Sequence, residues 1–180
     1  MFRIHHRRCY LIHFSPNDPD HILLAQNMWN TLKDSGDLEK VFMKHEILTS
    51  HQLVNILSPP NFGFLDIDDK GVTMSVWLSS WMNAAWMGLW IREDKRQSRK
   101  CFTNLIEVMR ETFKLLPVIM GVTQRPEILE IHRKLGYDIS IIVPDLYGSK
   151  PGWIVQLHRD KFRFLKEEVK EMKVETVEVA

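Results

Sequence analysis

A mixed α/β fold of the α+β kind, with a mostly antiparallel central sheet flanked by helices, is what the sequence predicts, and three observations carry it. Between Phe62 and Ile91 lie three β-rich runs separated only by short turns, the pattern of an antiparallel meander. On either side of them, apolar residues recur at helical spacing instead of alternating. The chain has 180 residues, 44% hydrophobic and 26% charged, enough for one domain with its own core and no covalent staples.

Residues 9–14 form a β-branched and aromatic run stopped by Ser15-Pro16-Asn17, a strand. Asp18 or Asp20 opens a helix to about Leu32, with Ile22, Leu23, Met28, Trp29 and Leu32 on its apolar positions, and Ser35-Gly36 closes it. Val41, Phe42, Leu48, Leu53, Ile56 and Leu57 mark a second helical stretch. A bend near Thr49-Ser50 makes Ser50 an expected N-cap, and Pro59-Pro60 ends the stretch. The meander follows as Phe62–Asp68, the turn Asp69-Lys70-Gly71, residues 72–81, the turn Met82-Asn83, and Ala84–Ile91. Met74, Val76 and Leu78 alternate with Thr73, Ser75, Trp77 and Ser79, which predicts one buried and one more polar face. After the charged residues 92–100 comes a helix with Phe102, Leu105, Ile106, Met109, Phe113 and Leu116 on one stripe, stopped by Pro117. Residues 117–122 read as a short interior strand, and 127–135 as a helix with Pro126 in its first turn and Gly136 as a left-handed cap. Strands over 138–143 and 153–158 complete the order β-α-α-β-β-β-α-β-α-β-β.

Composition narrows the function classes. A formal charge of +1 gives no bulk attraction to nucleic acid, membranes or acidic partners. Residues 92–100 carry five cations and two anions, 5 − 2 = +3, but no aromatic platform on which bases would stack lies beside them. Cys9 and Cys101 form no CxxC pair and are expected to be reduced thiols. No signal peptide is expected, because the apolar start is broken by His13 and Pro16, and the apolar run 118–122 is too short to span a bilayer. A cytoplasmic protein is therefore expected, with residues 1–164 as a single domain and 165–180 as a charged tail. No metal site is expected: His5, His6, His13 and His21 do not share one face, and neither HExxH nor a GxSxG elbow occurs. Four of the six Trp lie between Trp77 and Trp90, and this run reads as core, with an outward-facing dimer interface or substrate groove as the alternative.

The element order, together with Ile131-His132-Arg133-Lys134-Leu135-Gly136-Tyr137, resembles the GNAT family of N-acetyltransferases over residues 62 to about 162, and the N-terminal helices fit as well. The heptapeptide is similar to that family's Tyr-Glu-Lys-Leu-Gly-Phe segment, where a glycine reverses the backbone and an aromatic plugs the core. The family's Gln/Arg-x-x-Gly-x-Gly/Ala loop, in which backbone N–H groups close on the coenzyme A pyrophosphate at a helix N-terminus, falls on Gln97-Ser98-Arg99-Lys100-Cys101-Phe102. Lys100 and Phe102 replace its small residues, so side chains of a basic loop would hold phosphate here, unless the segment is only a solvated turn. The resemblance implies acetyl transfer from acetyl-CoA to an unknown primary amine, with the cofactor along Leu89, Trp90 and Ile91 and at the loop. It also puts His132 where the family often has a tyrosine that protonates the departing thiolate. No carboxylate stands on the third strand as a base. Glu93, Asp66 and Asp68 lie at strand ends and read as turn charges, and Ser79, Ser80 and Asn83 are the polar residues nearer the implied cleft. Gly88 marks either a bulge at the cofactor or room for a tryptophan. Arg99-Lys100-Cys101-Phe102-Thr103-Asn104-Leu105-Ile106 also resembles a segment of bacteriophage GNAT-like proteins, some implicated in virion assembly. That likeness implies a protein partner and a fold kept after catalysis was lost.

Overall fold

The computed structural model describes residues 11–42, 49–146 and 150–165. By their internal contacts the described residues divide into two compact units, those up to 80 with 86–108, and 81–85 with those from 109 onward.

The first unit opens with β1 (Leu11–His13) and α1 (Pro19–Asp34). Asp18 caps α1, its side chain accepting from the Asp20 amide, and Pro19 takes the first helical position, where no N–H is needed. Two pieces replace the long second helix that the spacing predicts: α2 (Leu38–Val41) and α3 (Ser50–Leu57). Leu48 and its neighbours 43–47 lie outside the described residues. The expected cap moves by one residue. Thr49, not Ser50, is the N-cap of α3, because Gln52 three residues on returns the bond and completes a capping box. Strand β2 (Phe62–Asp68) and strand β3 (Gly71–Trp81) pair antiparallel, as do β1 and β2, and β4 (Ala84–Ile91) has the predicted bounds.

The core of this unit gathers Phe14, Ala25, Met28, Leu32, Phe42, Leu53, Leu57, Leu65 and Trp90. Gly63 exists for that packing: a Cβ there would stand 2.7 Å from the Leu57 carbonyl oxygen, so α3 seats directly on β2. The predicted polar face of β3 is not polar to solvent. Thr73 and Ser75 are as buried as Met74 and Val76, because helix α4 (Arg99–Leu115) places Cys101 against Thr73. The predicted stripe of α4 is buried at Leu105, Ile106, Met109 and Phe113, where Cys101, Asn104 and Val108 join it, while Phe102 at its start is 39% exposed.

The second unit contains β5 (Val118–Thr123), α5 (Pro126–Leu135), β6 (Asp138–Leu146) and β7 (Lys150–His158), with β7 antiparallel to both β5 and β6. Its core includes Phe113 and Phe162, whose rings lie 5.2 Å apart, with Ile119, Val155 and Leu157. The sheet order is β1-β2-β3-β4-β5-β7-β6. Mixed α/β architecture and a seven-stranded, mostly antiparallel sheet match the fold class read from the sequence. No described helix is long and apolar enough to cross a membrane.

Candidate functional site

In the first unit the start of α4 is seated on a buried carboxylate. Asp66, expected as a turn charge, has a side chain only 1% exposed. The strand register slips between Asp66 and Ile67, and Thr73 at that bulge donates its hydroxyl to Asp66 Oδ2 at 2.8 Å. The Cys101 thiol donates to the same oxygen at 3.8 Å. Lys100 Nζ lies 2.7 Å from Asp66 Oδ1 and donates to the Ile67 carbonyl at 3.4 Å. An isolated carboxylate in such a place would cost several kcal/mol of desolvation, which these partners offset. One signal in the sequence points to Asp66: it continues the alternation Phe62, Phe64 along β2, on the face that meets α4.

Most of the remaining charges of residues 92–100 are also engaged. Arg92 holds Asp68 with both terminal nitrogens, Nη2 to Oδ2 at 2.7 Å and Nη1 to Oδ1 at 3.2 Å, and reaches Asp94 through Nε at 2.7 Å. The Arg92 guanidinium and the Lys70 amide hold the Asp68 carboxyl far below the usual carboxylate range against its desolvation. Lys95 Nζ lies 3.1 Å from Asp68, and Arg96 reaches the buried Asp37 at 3.1 Å. Arg99 is exposed and, among the described residues, has no ion pair. The apparent +3 loop is thus largely neutralised by the protein's own acids.

The backbone of residues 97–102 is free of positive φ angles, so no glycine is needed for its path. Ser98 ends the turn by accepting from Phe102 N at its carbonyl, 3.1 Å, and from Cys101 N at Oγ, 3.4 Å. The amides of Arg99 and Lys100 open α4 with no intrahelical acceptor, as first-turn amides must. Lys100's chain runs to Asp66, and Phe102 stands outside the buried face. The groups this end of α4 presents to an anion are its helix-terminal N–H groups and the exposed Arg99 guanidinium. Gln97 is exposed, Ser98 half-buried and Cys101 buried.

On β4, Leu89 and Ile91 are half-buried, while the Trp90 side chain is 3% exposed within the first unit's core. Gly88 answers to a tryptophan: a Cβ would lie 1.9 Å from the Trp77 indole, which stacks on Phe42 at 4.9 Å. In the Trp-rich run Trp90 is core and the partly buried Trp77 packs against it, and of the run's Trp and Met residues only Trp81 and Met82, at the hairpin end, are strongly exposed, at 56% and 82%.

The second unit holds His132, on α5. Its Nδ1 lies 3.0 Å from the Ile128 carbonyl oxygen, which only accepts, so the proton sits on Nδ1 and Nε2 keeps a lone pair. Burial lowers its pKa below the ordinary 6.5, which favours the neutral ring. Tyr137 packs edge-on against it at 4.9 Å, and the buried Tyr137 hydroxyl finds no hydrogen-bond partner among the described residues. Gly136 has φ +99° and would place a Cβ 2.6 Å from the Lys161 carbonyl oxygen, so both conformation and space demand glycine. An open hollow of about 490 Å³ nearby is lined by Arg133, Tyr137, Asp138, Asp160, Lys161 and Arg163, none a residue the sequence marks for catalysis. Among the described residues no group of three or more His, Cys, Asp or Glu is placed to hold a metal.

No family model matches the sequence, and no curated protein sequence matches it. Solved structures do match the fold. An aminoglycoside 6'-N-acetyltransferase complexed with coenzyme A aligns over 82% of this chain and 96% of its own, with TM-score 0.64 and 13% identity. The aminoglycoside 6'-N-acetyltransferase from Enterococcus faecium aligns over the same shares, 82% and 96%, with TM-score 0.62 and 14% identity. The ribosomal-protein-S18-alanine N-acetyltransferase from Escherichia coli covers 82% of this chain and 93% of its own, with TM-score 0.61 and 10% identity. At these identities the likeness is one of fold, and the fold is that of the GNAT N-acetyltransferases.

Proposed function

We propose that this chain, having the GNAT fold, is an acyl-CoA-dependent N-acyltransferase that moves an acetyl group to a primary amine. The likeness to a coenzyme A-bound acetyltransferase supports the reaction class, and the start of α4 supports the cofactor. That start is the observation that carries the reading. First-turn amides of Arg99 and Lys100 lie open beside the exposed Arg99 guanidinium, and Gln97 and Ser98 lead into them.

Acetyl-CoA, when bound, supplies a thioester whose carbonyl an amine attacks. The amides and Arg99 bind and orient the diphosphate by charge-assisted hydrogen bonds. The β4 backbone at Leu89, Trp90 and Ile91 is assigned the pantetheine arm and the polarisation of the carbonyl. His132 is assigned the proton. Being neutral, with Nδ1 bonded to Ile128, it first takes the proton released by the amine on Nε2 and then gives it to the departing sulfur.

Calorimetry with acetyl-CoA tests this. Wild-type protein should bind, and Arg99→Ala should weaken binding roughly tenfold, the share of one charged hydrogen-bond donor. Absence of heat and of any thermal shift at millimolar acetyl-CoA would remove the enzyme reading. A second reading, a non-catalytic module that binds a protein such as a virion-assembly partner, is favoured by the internally paired cations of residues 92–100. It is the reading that such a null result would leave.

A further inference from the structure

We infer that Asp66 sets the affinity of the α4 start for phosphate by holding the Lys100 ammonium away from it, as an internal counter-ion. This rests on the cofactor reading of that helix end. Lys100 stands in the first turn of α4, where a cation would ordinarily add to the pull of the helix terminus on an anion. Its charge is spent elsewhere: Nζ lies 2.7 Å from Asp66 Oδ1 and donates to the Ile67 carbonyl.

The geometry makes that assignment durable. Asp66 is 1% exposed, so neither solvent nor salt screens it, and Lys100 is the only ammonium among the described residues ion-paired with it. Thr73 Oγ1 and Cys101 Sγ fix its other oxygen, so the carboxylate cannot turn toward a different cation. Lys100 itself is 42% exposed and is free to move once the carboxylate charge is gone. A phosphate arriving at the Arg99 and Lys100 amides thus meets a neutral pair instead of a cation. Withdrawing Lys100 would leave a buried carboxylate without its counter-charge, which ties the lysine to Asp66 more firmly than to any exposed ligand.

The test compares wild type, Asp66→Asn and Asp66→Asn/Lys100→Met by acetyl-CoA calorimetry at two salt concentrations, each variant first checked for a cooperative melt. Asp66→Asn keeps the shape and an acceptor for Thr73, and should bind acetyl-CoA roughly tenfold more tightly, with a steeper loss on added salt. The double variant should return to the wild-type affinity. Asp66→Ser, which keeps a small polar group for Thr73, serves in the same comparison if the asparagine form does not fold. Equal or weaker binding by the folded single variant would overturn the inference while leaving the cofactor reading intact. Binding by Asp66→Asn alone, with none by wild type, would support the counter-ion and overturn the cofactor reading. No binding by any form would overturn both.

Discussion

Gly88 is a residue whose identity is fixed by its neighbour's bulk. The Trp77 indole occupies the space its Cβ would need, 1.9 Å from the nearest ring atom, and Phe42 stacks on the ring from within the same core. Gly88→Ala must therefore displace an indole from a packed site, and overpacking of this kind costs about 1–3 kcal/mol. A fall of the urea midpoint with unchanged slope would register it. A midpoint within error of wild type would show that Trp77 has an alternative seat. The residue scale is also where the sequence was least readable. Glycine in a strand signals a close approach without saying of what, and here it is a side chain of the preceding strand. Asp66 looked like a turn charge because its partners Thr73, Lys100 and Cys101 lie 7, 34 and 35 positions away, as 73 − 66, 100 − 66 and 101 − 66. Arg96 and Asp37, 59 positions apart, are no easier to pair on paper.

Elements were more legible, because they rest on local rules. The meander needed only alternation and two turns, and β2 and β4 have the bounds their residues suggested. Gly136 as a left-handed cap followed from its place after a helical period, and φ +99° agrees. The N-terminus of α3 turned on two candidate hydroxyls side by side, and the deciding residue is Gln52. Counted from Thr49 it is the third helical position, the one a capping box needs, whereas from Ser50 it is the second. Thr49→Ala should accordingly cost about 1 kcal/mol, by loss of the bond to the Gln52 amide and release of the Gln52 side chain. Ser50→Ala should be nearly silent. Chemical denaturation of the two variants side by side checks the assignment, and the reverse ranking would return the cap to Ser50. The stripe of helix α4 holds at Leu105, Ile106, Met109 and Phe113 and misses at its first position, where Cys101 and not Phe102 takes the inner place. A small thiol suits the tight seat over Asp66 and Thr73, and a phenyl ring does not.

For the whole molecule, the dependence of stability on pH distinguishes which ionisable groups the fold has moved. His132 in the second unit and His13 in the first both have pKa values lowered, in each case mainly by burial, and for His13 also by the charge of His21. A histidine whose folded pKa is depressed binds its proton less readily in the native state than in the unfolded chain. Its contribution is therefore fully present above the ordinary 6.5 and is lost as pH falls through the folded value. The carboxylates act in another range. Asp68, held far down by Arg92, gives its stabilisation at every pH above the ordinary carboxylate values and yields it only in strong acid. Between pH 7.5 and 5 the histidines alone among these shifted groups should move the thermal midpoint, downward as acid is added, with a ceiling of about 1.4 kcal/mol per pH unit for each. His132→Gln keeps a polar side chain that cannot take the proton, so it should flatten the curve over that range while leaving the steep acid limb where the carboxylates titrate. Melting curves of both proteins at intervals of half a pH unit decide the matter. If the wild-type midpoint is level from pH 7.5 to 5, the imidazole of His132 is not held neutral by the fold, and its assignment as the group that first takes the amine's proton loses its basis. If the slope is present and His132→Gln removes part of it, the neutral ring that the proposed proton transfer requires is the state the protein maintains.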